Sequence, residues 1–547
     1  MQPFLLWWIK RDLRIADNAA LAAACRVADE LRMPVLALYI FEQESTSAAE
    51  YHPRRDRFVL ECLQDLAPRL QDLNVTLVVA HGDATRVFAT LQVAGLAQVF
   101  SHQETGVLWT FTRDLALKEF LSGNNIAWKE FPTNGVVRGL RDRDRWQSNY
   151  RNRMATPAVE TPACVAHGFA SSAFANGDSL MLKATPNLAH EFDLSNTFFA
   201  GDRIFTNSPL ALASRTWTKT QQRGGEKVAH ALLDRFLQPE IHRKYISSLS
   251  RPKESQTFSS RLSPYLAFGC ITSRQVLAKI ASDDVREASH ARSLSAFRSR
   301  LAWKCHFVQK LENFPDMEER EQNAALAGLR PEMNKEEFER WHHGMTGYPL
   351  VDACLRSVHA TGFLNFRMRA MLMSFASHLM WRDWRAPSWD LAQAFLDFEP
   401  GIHFSQVQMQ ASVTGNNQIR IYNPIKQSLD NDPDAVFIKQ WLPELKNISA
   451  ANIHALDSLP PSYPKPIVEI DAALARARDT LFKRFKDTDV RSEAKKVQAQ
   501  LGSRGGFSSW RNKRKAATKP RTRKSGGARQ KAETPPESTL FDDPDTE

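Results

Sequence analysis

The chain has 547 residues, too many for one hydrophobic core, so two or three domains are expected. Its hydrophobic content of 43% is ordinary for a globular protein, and no run of about 18 uncharged apolar residues occurs, so no membrane span is expected. The net charge of +11 is unevenly placed: residues 503–531 hold eleven Lys or Arg and no acid, and residues 532–547 hold six acids and no base. The tail therefore accounts for +5, leaving residues 1–502 only mildly basic at +6.

The N-terminus MQPFLLWWIK lacks a basic leader and a small-residue cleavage site, so it does not read as a secretion signal. Cys25, Cys62, Cys164, Cys270, Cys305 and Cys354 include no Cys-x-x-Cys pair. Neither a disulfide framework nor a tetrahedral thiolate site is expected, and the reducing cytoplasm is the expected compartment.

In chain order, short apolar runs at 4–9, 35–40, 75–80, 97–100 and 126–131 predict strands. Helical periodicity between them predicts helices over 17–31, with Asp17 or Asn18 as its cap, and over 54–73, 84–93 and 108–121. Strands alternating with helices imply a parallel sheet covered on both faces, so residues 1–132 are expected to form a doubly wound, Rossmann-like α/β domain. No Gly-x-Gly-x-x-Gly follows the first strand, which removes the dinucleotide fingerprint but not a ligand at the carboxyl ends of the strands. Residues 133–224, rich in Asn, Ser, Thr and Pro, read as a connector over the surface. Residues 225–480 are helical in pattern and are expected to form an all-α domain. Residues 481–547 follow as a polar helix over 487–500 and a disordered tail that cannot build a core.

Four blocks carry the chemistry: IKRDLRIADNAAL at 9–21, SSRLSPYLAFG at 259–269, MTGYPLVDA at 345–353, and YNP at 422–424 with WLPEL at 441–445. Ser259, Ser260 and Ser263 offer hydroxyls where a helix is about to begin, which suits an anion; taken alone, the residues suit an ordinary capped helix with a serine-rich turn better. Arg261 can make a charge-assisted bond or a structural ion pair. Asp397 and Glu399, taken alone, read as solvated charges after a helix. His403 reads either as a hydrogen-bonding or titrating group near neutral pH or as a satisfied core histidine.

Together and in this order, the blocks resemble those of photolyases and cryptochromes over roughly residues 3–447. The resemblance implies an α/β antenna domain, a helical domain binding FAD, and blue-light chemistry on UV-damaged DNA or in signalling. It assigns Ser259, Ser260, Arg261, Leu262 and Ser263 to the flavin phosphates, and Tyr245, with two residues of spacing different, to a flavin contact. It pairs Arg369 with Asp397 beside the isoalloxazine, where a cation favours the reduced anion. It places Glu399 and Lys304 at the site, and His403 where photolyases usually have an asparagine near flavin N5.

The departures matter as much. Trp384 matches the middle member of the family's tryptophan relay, but the flavin-proximal position falls on Val407 and the outer one near Pro331. A route through Trp381, Trp389 or Trp303 is the alternative. Trp303 matches a lesion-stacking tryptophan; its companion falls on Met409, the lesion-contacting glutamate on Arg300, and an asparagine on Phe366, next to Asn365. The residues that would hold a methenyl folate fall on Trp109 and Thr110, which implies a changed or absent antenna chromophore. The run 511–524 reads as a basic arm that neutralises DNA phosphates without reading sequence.

The leading expectation is a monomeric, FAD-dependent photolyase that splits cyclobutane pyrimidine dimers, with Trp303, Met409, Trp384 and Arg300 in its catalytic set. A cryptochrome-like photoreceptor is the second, and a flavin-free DNA-binding relative the third.

Overall fold

The computed structural model describes residues 2–169, 198–199, 222–282 and 291–502. The tail from 503 onward and much of the expected connector lie outside the described residues.

All five sequence-predicted strands form: β1 (Phe4–Ile9), β2 (Val35–Glu42), β3 (Thr76–Gly82), β4 (Leu96–His102) and β5 (Ala127–Phe131). They lie parallel in the order β5-β4-β1-β2-β3, and a two-residue strand that the sequence did not announce, β6 (Phe198–Phe199), closes the β3 edge antiparallel. β1 is buried along its whole length, because helices cover both faces of the sheet. Leu5, Trp7 and Ile9 point into one core, and Phe4, Leu6 and Trp8 into the other.

The first helix, Ala19–Leu31, is capped by Asn18, whose side-chain oxygen accepts from the Leu21 N–H. Asp17 takes a different part. Its carboxylate accepts from Thr272 Oγ at 2.7 Å and Arg274 Nε at 3.1 Å, fastening the α/β lobe to the helical lobe. Glu226 adds a second tie by accepting from the Ile15 N–H at 2.8 Å. Gly269, at φ +69°, sits where a Cβ would meet the Arg11 carbonyl at 2.1 Å, so the close approach of the lobes there requires glycine.

The helical lobe runs from Glu226–Phe236 to Thr488–Leu501. Its core gathers Trp341, Met371, Phe375, Trp384 and Leu442. The stretch expected to be an aperiodic connector contains a helix, Trp146–Ala155. Trp146 and Tyr150 stack at 5.4 Å and bury against Cys305, so aromatic packing orders a segment whose polarity gave no periodic signal. The last helix, read as polar, turns Val490, Val497 and Leu501 inward and docks on the core.

Candidate functional site

A cavity of about 310 Å³ opens between the segment 259–269, the long helix Ala291–Asn313, and the helices Phe366–Ser374 and Pro400–Gln410. It is lined by Tyr245, Ser259, Ser260, Arg261, Leu262, Ser263, Arg300, Lys304, Arg369, Asp397, Glu399 and His403. These are residues singled out from the sequence, brought together from positions more than 150 residues apart.

Arg369 Nη2 donates to Asp397 Oδ2 at 2.9 Å, and its Nε donates to the Leu364 carbonyl at 2.7 Å. The guanidinium also lies 3.9 Å from the Phe395 ring centre. Three restraints thus fix one cation at the wall. Asp397 Oδ1 has no hydrogen-bond partner among the described residues. Nor do the buried side-chain atoms Ser259 Oγ, Asn365 Oδ1, Gln406 Oε1 and Gln410 Oε1 and Nε2, all on residues that line the same cavity. Buried polar atoms left unpaired are costly, so such a concentration of them marks a ligand surface. Gln406 and Gln410 escaped the sequence reading; their i, i+4 spacing puts both amides on the face that carries Val407 and His403, and that spacing was the signal available.

Arg261 adopts a left-handed backbone, φ 57°, and its guanidinium lies 3.5 Å from the Phe363 ring centre. No carboxylate lies within ion-pair distance of it among the described residues. Burial draws it down to about 10, so it stays charged at neutral pH. A cation held by an aromatic face and without an acidic partner is suited to an anionic group of a ligand. The helix that follows, Ser263–Ala267, is a single turn, and Ser260 Oγ accepts from the Leu262 N–H at 3.4 Å.

Lys304 Nζ donates to Glu399 Oε2 at 2.8 Å, with both side chains 9% exposed. Arg11 Nη1 approaches the other Glu399 oxygen at 3.9 Å, so this carboxylate bridges cations of both lobes. The contacts of His403 fit the second of its two readings, a satisfied buried histidine. Its Nε2 donates to the Ser388 carbonyl at 3.0 Å, which commits the ring's N–H away from a ligand. Burial lowers its pKa to about 3, so it stays neutral and does not switch charge near neutral pH.

Three residues expected in the catalytic set do not line the cavity. Trp303 stacks on Phe307 at 5.5 Å. Met409 is buried, one position from the cavity-facing Gln410. Trp384 is buried, with its indole N–H directed at Glu321 Oε1 at 3.3 Å and the Arg385 guanidinium 4.7 Å over its ring. Val407 stands on the cavity wall. Of the alternative tryptophans, Trp389 packs on Phe404 at 4.9 Å, and Trp381 lies beneath Arg330 at 4.8 Å.

A second, smaller cavity of about 130 Å³ lies at the carboxyl ends of the strands, roofed by Phe268 and Phe398. Trp109 forms part of its wall and donates to Glu50 Oε1 at 3.1 Å. Arg113 is ion-paired to Glu42, Glu104 and Asp114 at 2.5, 2.6 and 2.8 Å, between the rings of Trp8 and Trp109. Burial pushes Glu42 up to about 7, whereas Arg113, Lys10 and Arg11 overcome burial to hold Glu104 at about 2.

Both lobes are matched by known proteins. Residues 297–483 match the family described as the FAD binding domain of DNA photolyase, and residues 5–146 match that described as DNA photolyase. The deoxyribodipyrimidine photo-lyase of Halobacterium salinarum is 28% identical over 510 residues, covering 85% of this chain and 96% of the relative. Cryptochrome-1 of Arabidopsis thaliana is 26% identical, covering 87% of this chain and 69% of the relative. The crystal structure of the archaeal photolyase from Sulfolobus tokodaii, described with two FAD molecules, superposes with a TM-score of 0.67 at 22% identity, covering 88% of this chain and 99% of that one. The parallel sheet, the helical lobe and the matched sequence on both of them make this chain a member of the photolyase/cryptochrome family.

Proposed function

We propose that the chain is a blue-light-driven DNA repair enzyme that binds FAD in the large cavity and splits cyclobutane pyrimidine dimers. The observation that carries this reading is a single cavity uniting Ser260, Arg261, Arg369 and Asp397, with unpaired polar atoms along its wall. These groups fit the cofactor: a cation without an acidic partner among the described residues for the pyrophosphate, amides and a carboxylate oxygen for the polar edges of a ring system, and Phe395 and Phe398 for its apolar surface. Bound there, reduced FAD supplies the light-driven electron.

The chain's own residues bind and orient. Arg261 and the serines of 259–263 hold the anionic end, and Arg369, fixed by Asp397 and Leu364, stands as the cation that stabilises negative charge on the ring. His403, neutral and tied to Ser388, forms wall without moving a proton. Phe366 is 40% exposed on the cavity rim, with the Arg300 guanidinium 5.5 Å from its ring centre. An aromatic face with a cation beside it suits a nucleobase taken out of the stack, and extruding a damaged base costs less than extruding a paired one.

Trp303 and Met409, outside the cavity, favour the second reading, a photoreceptor without repair activity, and curated relatives of both kinds are similar to this chain. The reading includes no folate antenna. Trp109 and the ion pairs of Arg113 leave about 130 Å³ where small-molecule sites need roughly 300 Å³ or more.

The deciding experiment illuminates the reduced, flavin-loaded protein with blue light in the presence of dimer-bearing oligonucleotides, single- and double-stranded. Loss of dimers in either supports repair. Bound flavin without dimer loss in both overturns repair in favour of the photoreceptor.

A further inference from the structure

Outside the cavity lining, three side chains converge that the flavin chemistry does not use. His342 ends the helix Lys335–His342, His359 lies in the last turn of Pro349–Thr361, and Asp390 sits within Arg385–Ala394. One ligand atom of each lies within 4.8 Å of the others. His342 Nδ1 is 2.5 Å from Asp390 Oδ1, and the two imidazoles meet at 4.5 Å between ring centres. His359 Nε2 is 3.3 Å from Asp390 Oδ2, within ion-pair distance, and this buried nitrogen makes no well-formed hydrogen bond among the described residues.

We propose that His342, His359 and Asp390 form a binding site for one divalent transition-metal ion of the zinc class. Two imidazoles and one carboxylate are the donor set such ions take, and no cysteine belongs to the cluster. A tetrahedral ion at ~2.0–2.1 Å from its ligands holds them roughly 3.3 Å apart. Reaching that spacing opens the 2.5 Å His342–Asp390 contact and draws the two imidazoles' ligand atoms together, through rotation of the His342 side chain, which is 38% exposed. The ion takes the place of the proton shared by His342 Nδ1 and Asp390 Oδ1, which leaves to solvent.

The surroundings are those of a prepared ligand set. The Asp390 side chain is 1% exposed, and the Trp341 indole N–H donates to its Oδ2 at 3.0 Å, fixing the carboxylate as outer partners of metal ligands do. The exposed edge of His342 leaves the remaining coordination position to water and provides the way in. The site would clamp three helices. Two residues before Asp390, on the same helix, Ser388 holds His403 on the flavin-cavity wall.

The test is metal uptake by the full chain, stripped with a chelator and dialysed against zinc chloride. About one zinc per chain is expected, with a higher unfolding temperature on zinc addition, since an ion that binds only the folded state stabilises it. His342→Gln and His359→Gln should each weaken uptake at least 10-fold, and Trp341→Phe by ~10–100-fold, with circular dichroism confirming folded variants. Cobalt(II) in the unmutated chain should give visible d–d bands without a thiolate charge-transfer band, a readout that needs no variant. No zinc uptake by the folded chain, uptake undiminished in both histidine variants, or a thiolate band placing the metal on cysteine would each overturn the proposal.

Discussion

Arg369 Nη2 and Asp397 Oδ2 stand 2.9 Å apart on the wall of the large cavity, and the second Asp397 oxygen has no hydrogen-bond partner among the described residues. One oxygen orients the arginine and the other remains for a ligand donor. Replacing Asp397 by Ala frees Arg369 and deletes that acceptor. Losing one partner of a buried pair costs about 3–5 kcal/mol, less here because Arg369 is 26% exposed. Asp397→Ala should therefore retain at least ~10-fold less FAD, by the flavin-to-protein absorbance ratio, while Asp397→Asn keeps part of it. Unchanged flavin content in Asp397→Ala would remove the pair from the binding account.

Arg261 separates the two ends of the ligand. As the cation for the pyrophosphate, its loss in Arg261→Gln should weaken FAD by roughly 1.5–3 kcal/mol, the range of a charged hydrogen bond, or about 10–140-fold. Riboflavin, which has no phosphate, should lose little. Titration calorimetry with both ligands checks this; equal losses for the two would place Arg261 at the ring instead.

His403 makes an acid limb. Its folded pKa is lowered by burial to about 3 from an ordinary 6.5. Below about 6.5 the unfolded chain takes up a proton that the folded chain refuses, so stability is full above that pH and falls as the pH drops toward 3. Between those values the slope from this one group is at most about 1.4 kcal/mol per pH unit. Unfolding midpoints of His403→Gln from pH 7 to 4 should fall less steeply than those of the unmutated chain. Parallel curves would show that the ring titrates normally.

Lys304 and Glu399, 2.8 Å apart and both buried, are best probed together. Glu399→Leu alone strands the Lys304 ammonium and should destabilise by about 3–5 kcal/mol, whereas Lys304→Met with Glu399→Leu should recover most of the loss. A double-mutant cycle on unfolding free energies measures the coupling, and additivity of the two substitutions would argue that the pair contributes nothing as a pair.

Much of this protein is determined locally. The apolar runs at 4–9 and 35–40 are strands because a parallel sheet buries both faces, leaving continuous hydrophobic sequence that needs no partner to be recognised. The block at 259–269 and the Arg369 and Asp397 positions were singled out by the ordered blocks that resemble those of photolyases and cryptochromes, whereas their residue types taken alone suit a capped helix and solvated charges. What the sequence could not decide is where side chains point once helices pack. Trp303, on the same helix as the cavity-lining Arg300 and Lys304, turns onto Phe307 instead. Met409 lies beside a residue that faces the cavity and turns away from it, since one helical step rotates a side chain by about 100°. His342, His359 and Asp390 are separated by 17 and 31 residues and share no local pattern. Only the packing of three helices brings their ligand atoms within 4.8 Å, a distance set by tertiary contacts and not by sequence spacing.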